Sequence, residues 1–140
     1  MSEFRYQRLL EVKVKLLEHK QTELEVAIMS VAAVAEEIRE LEKEIAETYL
    51  PLTTRCLTGN ELTELTRYLS YLDTRKAGLR VERERRAERV ALLRTELRAL
   101  EIALKILERL RSKTLQAIKK ARNKKEQKLM DELALRRSGR

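Results

Sequence analysis

Only one stretch of this sequence interrupts its helical periodicity. Residues 50–60, reading LPLTTRCLTGN, hold the single Pro and one of the three Gly. On either side, apolar residues recur at alternating steps of three and four. That spacing keeps one apolar seam on a helix face. Sandwiches, barrels and α/β enzymes need turns every ten residues or so, and one Pro with three Gly cannot supply them. Leu is abundant and periodic, which argues against disorder. Long helix and coiled coil remain.

The first periodic segment covers about residues 4 to 49. Its seam is Leu10, Val14, Leu17, Leu24, Ile28, Val31, Ala35, Ile38 and Ile45, with Val34, Leu41 and Thr48 as a neighbouring stripe that takes over toward the end. Pro51 predicts the end of this helix, because its ring clashes with the preceding turn and it lacks an N–H. Thr58 and Glu61 have the spacing of a capping box, with Asn60 a competing cap. A second helix is therefore expected over about residues 61 to 135, with a short tail at 136–140. Its seam is Leu62, Leu65, Leu69, Leu72, Leu79, Val90, Leu93, Leu97, Leu100, Leu104 and Leu107, with Lys76, Arg83 and Arg86 in the gaps. Gly78 costs this helix about 1 kcal/mol relative to Ala and is a candidate bend.

Two such helices bury their seams most simply as one all-α domain spanning residues 1–140. The expected form is a long antiparallel two-helix coiled coil, or helical hairpin, with a longer, protruding C-terminal helix. A turn centred near residue 55 makes partner numbers sum to about 110. Arg83 and Arg86 would then cover the thin, Ala-rich seam near Leu24 and Ala27, their stems on apolar surface and their guanidinium groups in water.

Charge is uneven along the chain. Residues 1–72 carry 9 basic and 13 acidic groups, net −4; residues 73–140 carry 22 and 10, net +12. The last 33 residues, which lack a partner in this pairing, alone hold 12 basic against 4 acidic. A basic end suits an acidic partner. Nucleic acid is not the expected one, because no aromatic residue follows Tyr71 to stack on bases. Leu129, Met130, Leu133 and Ala134 place a short apolar face inside this basic end. Tyr49, Tyr68 and Tyr71 cluster in sequence about the break, where amphipathic rings suit an interface. Phe4 and Tyr6 are candidates to staple the start of the first helix.

Little in the sequence suggests chemistry. His19 is the only His and Cys56 the only Cys, so a Cys-based zinc site and a disulfide framework within the chain are excluded. No P-loop or Gly-rich phosphate cradle is present. No enzymatic activity, metal or cofactor is expected. No run nears 18 apolar residues, and Met1-Ser2-Glu3-Phe4-Arg5 has no apolar signal core, so a cytoplasmic chain without a transmembrane segment is expected.

Phe4-Arg5-Tyr6-Gln7 at the start and Gln127-Lys128-Leu129-Met130-Asp131-Glu132 near the end resemble the flagellar export protein FliJ family. Phe4-Arg5-Tyr6-Gln7-Arg8-Leu9-Leu10 is similar to that family's aromatic–x–x–Gln–x–Leu–Leu opening. Glu126-Gln127-Lys128-Leu129-Met130-Asp131-Glu132-Leu133-Ala134-Leu135-Arg136 is similar to its C-terminal run of Gln-Lys, an apolar pair, Asp-Glu, an apolar residue, Ala and a basic residue. Stalk proteins of injectisomes, of the YscO type, share the architecture, and a generic coiled-coil adaptor is the other reading. The resemblance implies a component of the bacterial type III export apparatus, peripheral at the cytoplasmic face of the inner membrane. It implies a stalk that promotes assembly and activity of the hexameric export ATPase FliI and contacts the gate protein FlhA and export chaperones. By position, Tyr49, Tyr68 and Leu72 fall on the gate-binding patch, while Arg75 and Leu79 depart from it. Lys124, Lys125, Gln127, Lys128, Met130, Asp131 and Glu132 fall on the ATPase-facing end.

Overall fold

In a computed structural model, which describes residues 5–139, the chain forms two helices, α1 (Gln7–Thr54) and α2 (Gly59–Ser138). No strand occurs among these residues, and the helices lie against each other as a hairpin. Phe4 and its expected staple lie outside the described residues.

Pro51 does not end α1. It sits in the last turn, and the helix continues to Thr54. Pro cannot bond the carbonyl four residues back, so one hydrogen bond is lost. The turn nevertheless closes beyond it: the Arg55 N–H donates to the Pro51 carbonyl at 3.2 Å. The Thr53 and Thr54 hydroxyls both donate to the Leu50 carbonyl, at 3.0 and 2.8 Å. Near a helix end a single missing bond leaves few turns to disrupt. Residues 55–58 then reverse the chain. The Thr58–Glu61 capping box forms as its spacing predicts: the Glu61 N–H donates to Thr58 Oγ1 at 3.3 Å, and the Thr58 N–H donates to Glu61 Oε2 at 3.4 Å.

Because α1 outlasts its Pro, the pairing register differs from the expected one. Lys20 meets Glu96 and Glu42 meets Lys76, so partner numbers sum to 116 and 118 rather than 110. Arg86 consequently reaches Ser30, not Leu24, its Nη1 donating to the Ser30 carbonyl at 3.2 Å. Arg83 is exposed, and Glu82 takes its place beside the seam.

The chain divides into two compact units. In the unit Lys20–Glu96, which contains the turn, the core is Val34, Ile38 and Leu41 of α1 with Leu69, Leu72, Val90 and Leu93 of α2. Val34 and Leu41 belong to the neighbouring stripe, and Ile28 of the expected seam is exposed. The seam instead runs through Ala27 and Ser30, small residues that admit the Arg86 stem. The other unit, Met1–His19 with Leu97–Arg140, is closed by Leu10, Leu104 and Leu107, with Leu17 against them. Val14 of the expected seam is exposed there. Gly78 is an ordinary helical residue of α2, with open space where a Cβ would stand.

Candidate interaction surfaces

Three surfaces carry the polar and aromatic residues that a partner would meet. The first lies on one flank of the hairpin near the turn. Glu37, Glu40 and Glu44 line α1 at steps of three and four, and Tyr68, Tyr71 and Arg75 line α2 opposite them, around one shallow groove. The Tyr68 and Tyr71 rings stack with centroids 6.4 Å apart and planes at 25°. The Tyr68 hydroxyl donates to Glu44 Oε1, and that bond holds the phenol above its ordinary range. Arg75 is likewise held above its ordinary range, chiefly by its hydrogen bond with Tyr71. The groove thus sets a row of three Glu beside an aromatic pair.

The sequence-predicted aromatic cluster is only partly assembled. Tyr49 is exposed but stands five residues beyond Glu44, a rotation of about 140° around α1. It therefore faces away from Tyr68 and Tyr71. Leu72 is 2% exposed and forms the floor of the hairpin core beneath the two rings. Its side chain supports the face rather than presenting itself to a partner. Glu37, Glu40 and Glu44 were not singled out by sequence reasoning, although their spacing on one helix row is readable.

A second surface is a polar waist. Lys20 Nζ donates to Glu96 Oε2 at 2.7 Å and lies 3.6 Å from Glu23, which in turn lies 3.6 Å from Arg89. Glu82 accepts from Arg85 at 2.6 Å and from Arg86 at 2.9 Å. The hydrogen bond to Glu96 raises Lys20 above its ordinary range, and Lys20 lowers Glu96 below its own. Arg85 and then Arg86 lower Glu82. Of these pairs, Lys20–Glu96 and Glu23–Arg89 join the two helices, and the others lie within one helix.

The third surface is the end of α2. Every residue from 119 to 139 is exposed. Lys124, Lys128 and Asp131 share one row of the helix at steps of four and three, while Gln127 and Met130 share another with Ala134. Lys125 lies on the row that continues the hairpin seam through Arg111, Thr114, Ile118, Arg122 and Leu129. Glu132 stands beside Leu133 near that row. These residues surround the helix rather than converge on one point. Cys56 is exposed in the turn. Among the described residues, no three His, Cys, Asp or Glu side chains are placed to hold a metal ion. No helix among them is long and apolar enough to cross a membrane.

A two-helix coiled coil whose distinctive features are exposed aromatic and charged faces belongs to the structural class of helical hairpins. The family model described as "Flagellar FliJ protein" matches residues 1–140, the whole chain. This chain therefore belongs to the FliJ family, coiled-coil proteins related to flagellar type III export. No curated protein and no solved structure matches it.

Proposed function

We propose that this protein is a non-catalytic, cytoplasmic stalk of the flagellar export apparatus, peripheral at the inner membrane. It promotes assembly and activity of the export ATPase FliI and contacts the gate protein FlhA and export chaperones. The observation that carries this reading is the end of α2: the helix runs on to Ser138 with every residue from 119 to 139 exposed, while α1 begins at Gln7. A helix that carries its own register past its partner presents both an apolar row and a basic surface to a third body. Lys124, Lys125, Gln127, Lys128, Met130, Asp131 and Glu132 would meet acidic loops lining the ATPase ring. The groove of Tyr68, Tyr71 and Glu44 is the gate-facing candidate, with Tyr49 a separate contact and Leu72 its support.

The test is export in living cells whose own copy is replaced by a chain ending at residue 122. Flagellar export should fail although the shortened chain accumulates normally. Normal export by the shortened chain would contradict the reading. For the gate arm, Tyr68→Ala should weaken binding to the FlhA cytoplasmic domain while far-ultraviolet circular dichroism stays unchanged. Unaltered binding would remove Tyr68 from that contact.

A further inference from the structure

The unit formed by Met1–His19 and Leu97–Arg140 carries a second apolar surface beside its seam. On α1, Leu10 and Leu17 face α2. The residues just before them, Leu9 and Leu16, and Val12 between, are 45%, 42% and 50% exposed. On α2, Leu104 and Leu107 face α1. The residues just before them are Ala103, half-buried, and Ile106, exposed; Ile102 and Leu110 flank them and are exposed too. One residue is a rotation of about 100° around a helix axis. Made in the same sense about two antiparallel axes, that rotation brings both rows to the same side of the hairpin. The Leu10, Leu104 and Leu107 cluster sets the rows at the same level.

The result is a trough. Leu9, Val12 and Leu16 line it on α1 and Ile106 and Leu110 on α2, with the half-buried Lys13 and Ala103 toward the seam. The opposite flank is different in kind. The residues just after the seam positions are Glu11, Glu18, Glu101, Lys105 and Glu108, so that side is mostly acidic. The outer edges of the trough are basic instead: Arg8 and Lys15 on α1, Arg109 and Lys113 on α2, all exposed.

We propose that this trough docks one amphipathic helix of a protein partner, with an apolar stripe flanked by Asp and Glu. Anchors at steps of three and four would enter between the walls, and the flanking carboxylates would meet the basic edges. A second copy of this chain would set Arg8, Lys15, Arg109 and Lys113 against their own kind, so the edges select against it. The small Ala103 toward the seam suits an inserted side chain better than a flat lipid surface. The walls also lack the aromatic residues that favour a bilayer interface. This surface shares no residue with the Tyr68 groove or with residues 119–139, and the proposal stands independently of the stalk reading.

The experiment uses the full chain and a fluorescent helical peptide of about 20 residues with a Leu stripe flanked by Glu. A matched peptide flanked by Lys, and phosphatidylglycerol vesicles, complete the set. Saturable anisotropy of the Glu-flanked peptide is expected, weakening with salt. Val12→Glu with Ile106→Glu should weaken it by about tenfold or more. Because those replacements could disturb the neighbouring seam, Arg8→Glu with Lys15→Glu serves as an exposed second variant and should also weaken it, with unchanged melting. Equal binding of the Lys-flanked peptide, or indifference to both variants, would overturn the proposal. So would vesicle binding without peptide binding, or concentration-dependent doubling of mass that Ile106→Glu abolishes.

Discussion

Leu92 and Leu93 are neighbours in α2 with opposite duties. Leu93 is 1% exposed in the core, and Leu92 is turned outward and half-exposed. Truncating a buried Leu removes transfer energy and leaves a cavity. Leu93→Ala should therefore destabilise the hairpin by about 2–5 kcal/mol, and Leu92→Ala by about 0.5 kcal/mol or less, in urea unfolding followed by circular dichroism. Similar values for the two would contradict the described orientation of α2. The same argument reassigns Leu72. A Leu at a seam position near an aromatic pair reads equally as core or contact in a sequence, and only burial separates the two. Tyr68 remains a surface residue, so it is the informative substitution at the groove. Its neighbour Tyr49 joins the cluster by sequence distance alone and leaves it by helical rotation.

At the scale of elements, most of the seam of α2 was legible because Leu dominates it and steps regularly, although Leu62 and Arg83 of the expected series are exposed. Its core members Leu69, Leu72, Val90, Leu93, Leu104 and Leu107 all belong to the expected series. The seam of α1 was legible only at its ends. Between Lys20 and Ser30 polar and small residues carry the contact, and hydrophobic periodicity says nothing about ion pairs. The register shift goes with the continuation of α1 through Pro51, which moves the turn to residues 55–58. In the waist, Glu96 and Glu82 have lowered folded pKa values, so they lend stability above the unfolded carboxylate range, about 4.3, and lose it as pH falls through the folded values. Lys20 is raised, so its contribution is complete below its unfolded value, about 10.4, and is lost as pH rises through the folded one. The melting temperature should be flat between these limits and fall on the acid side. Glu96→Gln should lower it modestly at neutral pH and flatten the acid limb; an acid limb unchanged from wild type would remove Glu96 from the linkage. Gly78 offers the converse test. With open space at its Cβ position and ordinary helical geometry, Gly78→Ala should stabilise by about 0.4–1 kcal/mol in the same unfolding assay. Destabilisation would mean that the helix needs a Gly there.

Across the whole molecule, charge and pairing divide in the same direction. The acidic N-terminal half supplies the Glu37, Glu40 and Glu44 face, and the basic excess of the other half gathers toward the end of α2. Residues 123–139 make no part of the buried core, so a chain ending at residue 122 should keep the melting temperature of the full chain. The central claim is that this end activates the export ATPase while the hairpin only supports it. ATP hydrolysis by the cognate export ATPase, measured as either chain is titrated in, tests that claim most directly. Saturable stimulation by the full chain and none by the equally folded chain ending at residue 122 is the predicted result. Equal stimulation by both chains, or no stimulation by the full chain at concentrations well above those of the ATPase, would contradict it.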